Sequence, residues 1–290
     1  MHRRDLLKGA LLGASAFVLR PTFAQPASSD GAVAQLAALE KRYGGRLGIA
    51  VLDTGNGRRI VHRADERFLL CSTFKLLAVA AVLARVDHAA EQLDRRVVFG
   101  KDVLLNYAPV TSHHVGAPGM SVAELCQAAI TVSDNTAANL LLASLGGPAA
   151  VTAFVRSLGD ATTRLDRHEP DLNAGSPGDL RDTTTPSAML ASMHEVLLGS
   201  ALSAASRAQL LDWLRACSTG VEQLRAGLPA GWSAGDKTGS GSHDETNDVA
   251  IVWPPQRKPL LLAAYYAGSS ADQAGRHAVL AEVGRIAAAI

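Results

Sequence analysis

DVAIVWPPQRKPLLLAAYYA, residues 248–267, contains two apolar runs on either side of a proline-rich segment. The runs cover 248–253 and 260–267, and short apolar runs bounded by turn-forming residues are typical of β-strands. A third run of this kind covers 232–238, and apolar residues recur at helical spacing from 273 to 290. The carboxyl-terminal part of the chain is therefore predicted to form three strands followed by a helix.

The amino-terminal part of the chain carries the same kinds of signal. Apolar residues at helical spacing predict a helix over 31–43, and a pair of glycines then ends the pattern. Strand-forming residues follow at 46–52 and 59–62, joined by a segment with the glycine and asparagine content of a hairpin turn. Strands near both chain ends indicate one sheet that is built from the two ends.

The middle of the chain has a different character. From 73 to about 216 it is dominated by alanine and leucine at helical spacing, with loops predicted at 107–119 and 165–186. We therefore predict an α/β (α+β) fold in which a five-stranded antiparallel sheet flanked by helices carries an inserted all-helical lobe. The predicted boundaries are 25–64 and 217–290 for the α/β lobe and 65–216 for the helical lobe. A cleft between two lobes is the expected place for a small-molecule site.

Composition limits the classes of partner. Lys and Arg number 28 against 27 Asp and Glu, which gives a formal net charge of +1. This balance offers no broad basic face for nucleic acid and no acidic tract typical of a solvating tail. A small molecule is the expected partner, and a monomer is the expected state.

The cysteines and histidines do not form a metal-binding pattern. Cys71, Cys126 and Cys217 are too widely spaced for a zinc site or a disulfide framework, and the histidines show no H-x-x-x-H pairing. We expect three buried thiols, no bound metal and no organic cofactor.

Residues 1–24 resemble an export signal. Arg3 and Arg4 precede an apolar run at 9–19 that is too short to span a bilayer comfortably, and the segment ends at Ala24. The paired arginines predict the twin-arginine route and a periplasmic location, with no membrane association after signal removal. An amphipathic amino-terminal anchor is the alternative interpretation.

Three short motifs point to serine chemistry. Ser72-Thr73-Phe74-Lys75 places a hydroxyl and an amine on one face of a helix, and a serine nucleophile needs such a neighbouring base. Ser133-Asp134-Asn135 and Lys237-Thr238-Gly239 are each weak alone, because the first is also a common helix cap and the second can protect a sheet edge. In this order, however, the three are the combination found in serine acyl-transferases that react with penicillin.

A fourth segment, Arg167-His168-Glu169-Pro170-Asp171-Leu172-Asn173, completes the pattern. With it the chain resembles the class A serine β-lactamases over nearly its whole length, in which a loop with Arg-x-Glu-x-x-Leu-Asn holds the deacylating water. The resemblance implies the two-lobe serine β-lactamase or penicillin-binding-type fold. It also implies hydrolysis of the β-lactam amide bond of penicillins and cephalosporins through a serine acyl-enzyme, which confers resistance. An ion pair of Arg167 with Asp182 and a cis bond before Pro170 are further expectations.

The resemblance also implies a role for each motif residue. Ser72 would be the nucleophile, and either Lys75 or Glu169 acting through water would take its proton. Ser133 would protonate the departing lactam nitrogen beside Lys237, and Glu169 would activate the water that hydrolyses the acyl ester. The backbone N–H groups of residues 72 and 240 would hold the oxyanion. The substrate or its attacking water would be contacted by Asn135, Asn173, Thr238, Ser240 and Tyr107.

Two departures from the family pattern bear on substrate preference. Many members carry an arginine shortly after Lys-Thr-Gly, where this chain has Thr246, and Arg276 is expected to substitute for it. Members that hydrolyse carbapenems often join the residue before the nucleophile to one beyond Lys-Thr-Gly by a disulfide. Here Cys71 is present but Gly241 stands at the second position, so a carbapenem specialisation is not expected.

Two other functions share the three motifs. A D-alanyl-D-alanine peptidase uses them on a related fold, and a β-lactam sensor is acylated without turning over. The peptidase lacks the deacylating carboxylate that the resemblance assigns to Glu169. Against the sensor stand Glu169 and the lack of a predicted membrane helix that would carry a signal.

Overall fold

A five-stranded antiparallel sheet forms the centre of the molecule. The computed structural model describes residues 29–176 and 178–290; the predicted signal peptide, 1–24, lies outside the described residues. The strands, in their order across the sheet, are β2 (Arg59–His62), β1 (Arg46–Asp53), β9 (Leu260–Ala267), β8 (Thr246–Trp253) and β7 (Ser233–Ser240). β1 and β9 pair along their full lengths, so the two ends of the chain meet in one sheet as predicted.

Helices cover both faces of this sheet. In the described part of the chain they are α1 (Ser29–Tyr43), α2 (Phe74–Asp87), α3 (Val122–Thr131), α4 (Asn135–Leu145), α5 (Pro148–Ser157), α6 (Pro186–Leu197), α7 (Ala204–Arg215) and α8 (Gln273–Ala288). One sheet face shares a hydrophobic core with α1 and α8, the helices nearest the chain ends. The other face contributes Ile251, Leu261 and Tyr265 to a larger core that α2 to α7 complete. The predicted fold class is confirmed.

The middle of the chain also contains strands that its sequence does not predict. β3 (Phe68–Leu69) pairs with β6 (Thr183–Thr184), and β4 (Arg96–Val97) pairs with β5 (Met120–Ser121). Two residues are too few to show strand periodicity, which explains why the all-helical interpretation misses them. The lobe boundaries at 65 and 216 stay a prediction.

The described helices are too short or too polar to cross a membrane singly. α4 and α5 together reach the required length, as a pair bent by 70°.

Candidate active site

Ser72 lies in a single helical turn, Cys71–Thr73, directly before α2. The preceding Cys71 has φ +43°, a left-handed conformation that is costly for a residue with a side chain and is concentrated at functional sites. The turn is fixed from two sides. Strand β7 runs so close that a Cβ on Gly239 would lie 3.1 Å from the Ser72 nitrogen, and the Leu70 N–H donates to the Asp182 carbonyl at 2.8 Å.

Lys75, one turn into the same helical segment, is fully buried and surrounded by oxygen atoms. Its ammonium donates to Ser72 Oγ at 2.9 Å and to Asn135 Oδ1 at 2.6 Å. It also donates to the Ser133 carbonyl at 2.9 Å and Ser133 Oγ at 3.2 Å, and it lies 3.1 Å from Glu169 Oε1. One amine therefore connects four of the motif residues.

Burial lowers the pKa of Lys75 to about 8. The main cause is the loss of hydration of the charged amine, and the nearby charge of Lys237 lowers the pKa further. The carboxylate of Glu169 opposes both effects. Near neutral pH the amine is therefore much closer to losing its proton than an exposed lysine would be.

Ser133 bridges the two lysines of the site. Its Oγ lies 3.2 Å from Lys75 Nζ and 3.1 Å from Lys237 Nζ, and its backbone has φ +60°. Lys237 is also fully buried, and burial lowers its pKa. Two amines that donate to one hydroxyl leave that oxygen well placed to pass its own proton on.

The segment before α4 is held by Asp134, which is buried and caps the helix. Its carboxylate accepts from the N–H groups of Ala137 at 2.9 Å and of Thr111 at 2.9 Å. The Asn135 N–H donates to the Tyr107 carbonyl at 3.0 Å. The loop that carries Tyr107 is thereby fixed beside the Ser133 turn.

Glu169 reaches the nucleophile from a loop 97 residues further along the chain. Its buried carboxylate accepts from Ser72 Oγ at 3.2 Å and from Asn173 Nδ2 at 2.5 Å. The Asn173 Oδ1 atom is buried and has no hydrogen-bond partner among the described residues. The two carboxylate oxygens of Glu169 therefore connect Ser72 with Asn173.

Asn139 is a residue of this site that the sequence analysis missed. Its Nδ2 donates to the Glu169 carbonyl at 2.9 Å, and its Oδ1 accepts from the Glu169 N–H at 3.0 Å. The signal for it is its position on α4, one turn after Asn135, because residues at i and i+4 share a helix face.

The loop neck forms the expected ion pair. Arg167 Nε donates to Asp182 Oδ2 at 2.5 Å, and Asp182 is fully buried while Arg167 is partly exposed. The other Asp182 oxygen accepts from the N–H groups of Asp166 and Arg167 at 2.7 and 2.9 Å. The Glu169–Pro170 bond is cis, as expected.

Three predicted contact residues line the outer part of the site. Thr238 is buried, and its Oγ1 lies 2.5 Å from Thr219 Oγ1, a neighbour that the sequence analysis did not identify. Ser240 is exposed at the end of β7, and Tyr107 is 51% exposed.

Known proteins share both the sequence and this fold. The model of the Beta-lactamase enzyme family matches residues 31–290. Beta-lactamase OXY-1 of Klebsiella oxytoca is 46% identical over 287 residues, covering 99% of this chain and 98% of the relative. Beta-lactamase L2 of Stenotrophomonas maltophilia is 51% identical over 257 residues, which is 88% of this chain and 84% of the relative. The chain belongs to the class A β-lactamases.

Solved structures agree with this family assignment. A structure described as an ancestral class A β-lactamase (GNCA) superposes with a TM-score of 0.86 at 63% identity, covering 88% of this chain and 98% of that one. The putative class A β-lactamase PenP of Rhodopseudomonas palustris gives 0.87 at 55% identity, covering 89% and 98%. The enzyme class predicted from the motifs, a serine β-lactamase, is confirmed.

Two positions at which this class A β-lactamase departs from the family pattern, Thr246 and Gly241, can now be described by their neighbours. Arg276 Nε donates to Thr246 Oγ1 at 3.1 Å, so a guanidinium lies beside the threonine that stands in the usual arginine position. A Cβ on Gly241 would lie 3.0 Å from Cys71 Sγ. All three cysteines are buried and free, as predicted.

Proposed function

We propose that this chain hydrolyses the amide bond of penicillins and cephalosporins through an acyl-enzyme on Ser72. One observation carries the proposal: Ser72 Oγ lies within hydrogen-bond distance of both Lys75 Nζ (2.9 Å) and Glu169 Oε1 (3.2 Å). A serine hydroxyl becomes nucleophilic when a neighbouring base takes its proton. Here two candidate bases contact the same oxygen.

Acylation begins when Ser72 Oγ attacks the lactam carbonyl and its proton leaves. Lys75 can take the proton in its neutral form, which a pKa of about 8 makes accessible, and Glu169 can take it directly or through water. The oxyanion forms at the amino end of α2, where the N–H dipoles and the nearby end of β7 favour negative charge. Ser133 then protonates the lactam nitrogen as the ring opens.

Deacylation separates a hydrolase from a protein that is only acylated. Glu169 and Asn173 would hold the attacking water, and the Glu169 carboxylate would accept its proton. The ester carbonyl of acylated Ser72 would lie within reach of that water, because the serine and carboxylate oxygens are already 3.2 Å apart.

Substrate binding would use the outer residues. Thr238, Ser240 and Arg276 offer hydroxyl and guanidinium donors to the substrate carboxylate. Asn135 offers its amide to the side-chain carbonyl, and Tyr107 would cover an apolar part of the substrate.

Intact-mass measurement with benzylpenicillin tests this division of roles. Glu169→Ala is expected to keep a one-equivalent acyl adduct, because deacylation loses its base and slows by about 10²–10⁴-fold. Ser72→Ala is expected to show no adduct, and the exposed Glu124→Ala serves as a control that turns over like the wild type. If the wild type itself kept the adduct without turnover, the chain would be a sensor. If it cleaved D-alanyl-D-alanine but no β-lactam, it would be a peptidase.

We further propose export to the periplasm by the twin-arginine route and action there as a monomer. The support is the paired arginines before a short apolar run in residues 1–24. Arg3→Lys with Arg4→Lys is expected to remove β-lactamase activity from the periplasmic fraction without lowering it in whole-cell lysate. Undiminished periplasmic activity of the double variant would reject the route.

A further inference from the structure

A second cavity lies next to the loop that carries Glu169. It measures about 900 Å³, within the range of small-molecule sites, and it contains none of the proposed catalytic residues. Its walls come from the starts of β1 and β3, the loop segments 175–176 and 178–180, the turn before β8 and the end of β9. The residues that matter for its chemistry are Arg67, Phe68, Leu69, Leu180, Glu245 and Ala267.

Most of the cavity surface is apolar. Phe68 is buried, Leu69 is half-buried, and Leu180 is 49% exposed. The guanidinium of Arg46 lies over the Phe68 ring at 4.0 Å. An apolar ligand body of moderate size would be desolvated here.

Arg67 is the first of two charged groups that matter on this cavity. Arg67 donates through Nη1 to the Thr162 carbonyl at 3.1 Å and to Thr183 Oγ1 at 2.8 Å, both of them neutral groups. Among the residues that the structure describes, no carboxylate forms an ion pair with it. By contrast, the neighbouring Arg46 is paired with Glu66 at 3.0 Å.

Glu245 is the second charged group on this cavity. Glu245 is buried, with only 9% of its surface exposed. Its carboxylate accepts one hydrogen bond within the described residues, from the His243 N–H at 2.9 Å. No lysine or arginine in the described ranges is ion-paired with it. The other acid of the cavity wall, Asp179, forms an ion pair with Arg181 at 2.8 Å. Of the two acids, Glu245 is therefore the one that can still accept hydrogen bonds from a cationic ligand.

We propose that this cavity binds an amphipathic zwitterion about the size of a dipeptide. Its carboxylate would accept from Arg67, its ammonium would donate to Glu245, and its apolar body would lie on Leu69 and Leu180. Charge-assisted hydrogen bonds with both partners held in place are the stronger kind, and the apolar wall supplies the contact area between them. This site is additional to the proposed β-lactam hydrolysis and does not depend on it.

Titration with L-alanyl-L-phenylalanine, followed by backbone amide NMR, tests the proposal on the purified protein. The expected result is a saturable shift of the amides of Leu69, Ala267 and Gly268. Capping the amine as the N-acetyl dipeptide, or the carboxylate as the dipeptide amide, is expected to weaken binding by at least about tenfold each. β-Lactam turnover is measured separately, so failure of either result can be told from the other.

Matched variants assign the two charges. Glu245→Gln keeps the side-chain shape and is expected to bind the dipeptide no better than the N-acetyl form. Arg67→Gln is expected to lose the preference for the free carboxylate, and Asp65→Asn, an exposed acid outside the cavity, should bind like the wild type. No shift at about 10 mM dipeptide, equal binding of the capped forms, or shifts confined to Ser133 and Lys237 would each overturn the proposal.

Discussion

Lys75 is a buried amine whose charge depends on two neighbours of opposite effect. The carboxylate of Glu169, 3.1 Å from Nζ, favours the charged amine, whereas Lys237 and burial favour the neutral one. Because the resulting pKa is about 8, a modest change at either neighbour alters the protonated fraction at neutral pH. Substitutions that change the pKa of Lys75 therefore bear on whether Lys75 is the acylation base.

Replacing Glu169 by glutamine is expected to lower the pKa of Lys75 below about 8, because the charge that favours the ammonium is lost. Lys237→Met is expected to raise the pKa of Lys75, since a like charge is removed. Titration of the Lys75 amine by ¹⁵N NMR measures both shifts, with the exposed Glu124→Gln as control. A Glu169→Gln midpoint at or above the wild-type value would contradict the electrostatic account.

At this scale the sequence identifies residues that belong to motifs and misses those that do not. Ser72, Lys75 and Lys237 are recognisable because three triplets occur in a fixed order. Asn139 belongs to no triplet, and an asparagine on a helix surface is ordinary. Only the fold brings its amide to the backbone of Glu169, so no local pattern could assign it.

The loop from Arg167 to Asp182 carries Glu169, on which the proposed deacylation depends. Its neck is closed by a buried carboxylate, and the carbonyl of the same Asp182 accepts from Leu70, two residues before the nucleophile. Asp182 thus positions both the loop and the Ser72 turn. A short 3₁₀ turn within this loop, Asp171–Asn173, directs Asn173 toward Glu169.

Asp182→Asn is expected to destabilise the protein by about 3 kcal/mol, because a buried ion pair loses its charge and an amide NH₂ faces backbone donors. Asp179→Asn alters an acid–arginine pair in the same loop and is expected to change stability by at most about 1 kcal/mol, since more than half of the Arg181 side chain is exposed. Urea unfolding measures the free energies, and acyl-enzyme lifetime reports the position of Glu169. Equal effects of the two substitutions would show that the neck does not depend on the buried pair.

Over the whole molecule, strand and helix types are predictable from the sequence but their arrangement is less so. The runs at 260–267 and 59–62 coincide with β9 and β2, because apolar composition and turn residues mark both ends. The order β2-β1-β9-β8-β7 follows from pairing between strands more than 200 residues apart, for which no local signal exists. The two-residue ladders likewise have no local signal, because two residues are too few to show strand periodicity.

The central sheet should make the two sides of the molecule unfold together, since its faces belong to two different cores. Leu280→Ala on α8 removes a fully buried side chain from the core that is remote from the helical insertion, at an expected cost of about 2–5 kcal/mol. Native-state hydrogen exchange should then show the amides of Leu125 and Ile130 in α3 losing the same protection as those of β9. The exposed Arg285→Gln is the control. Undiminished protection in α3 would mean that the two cores unfold independently.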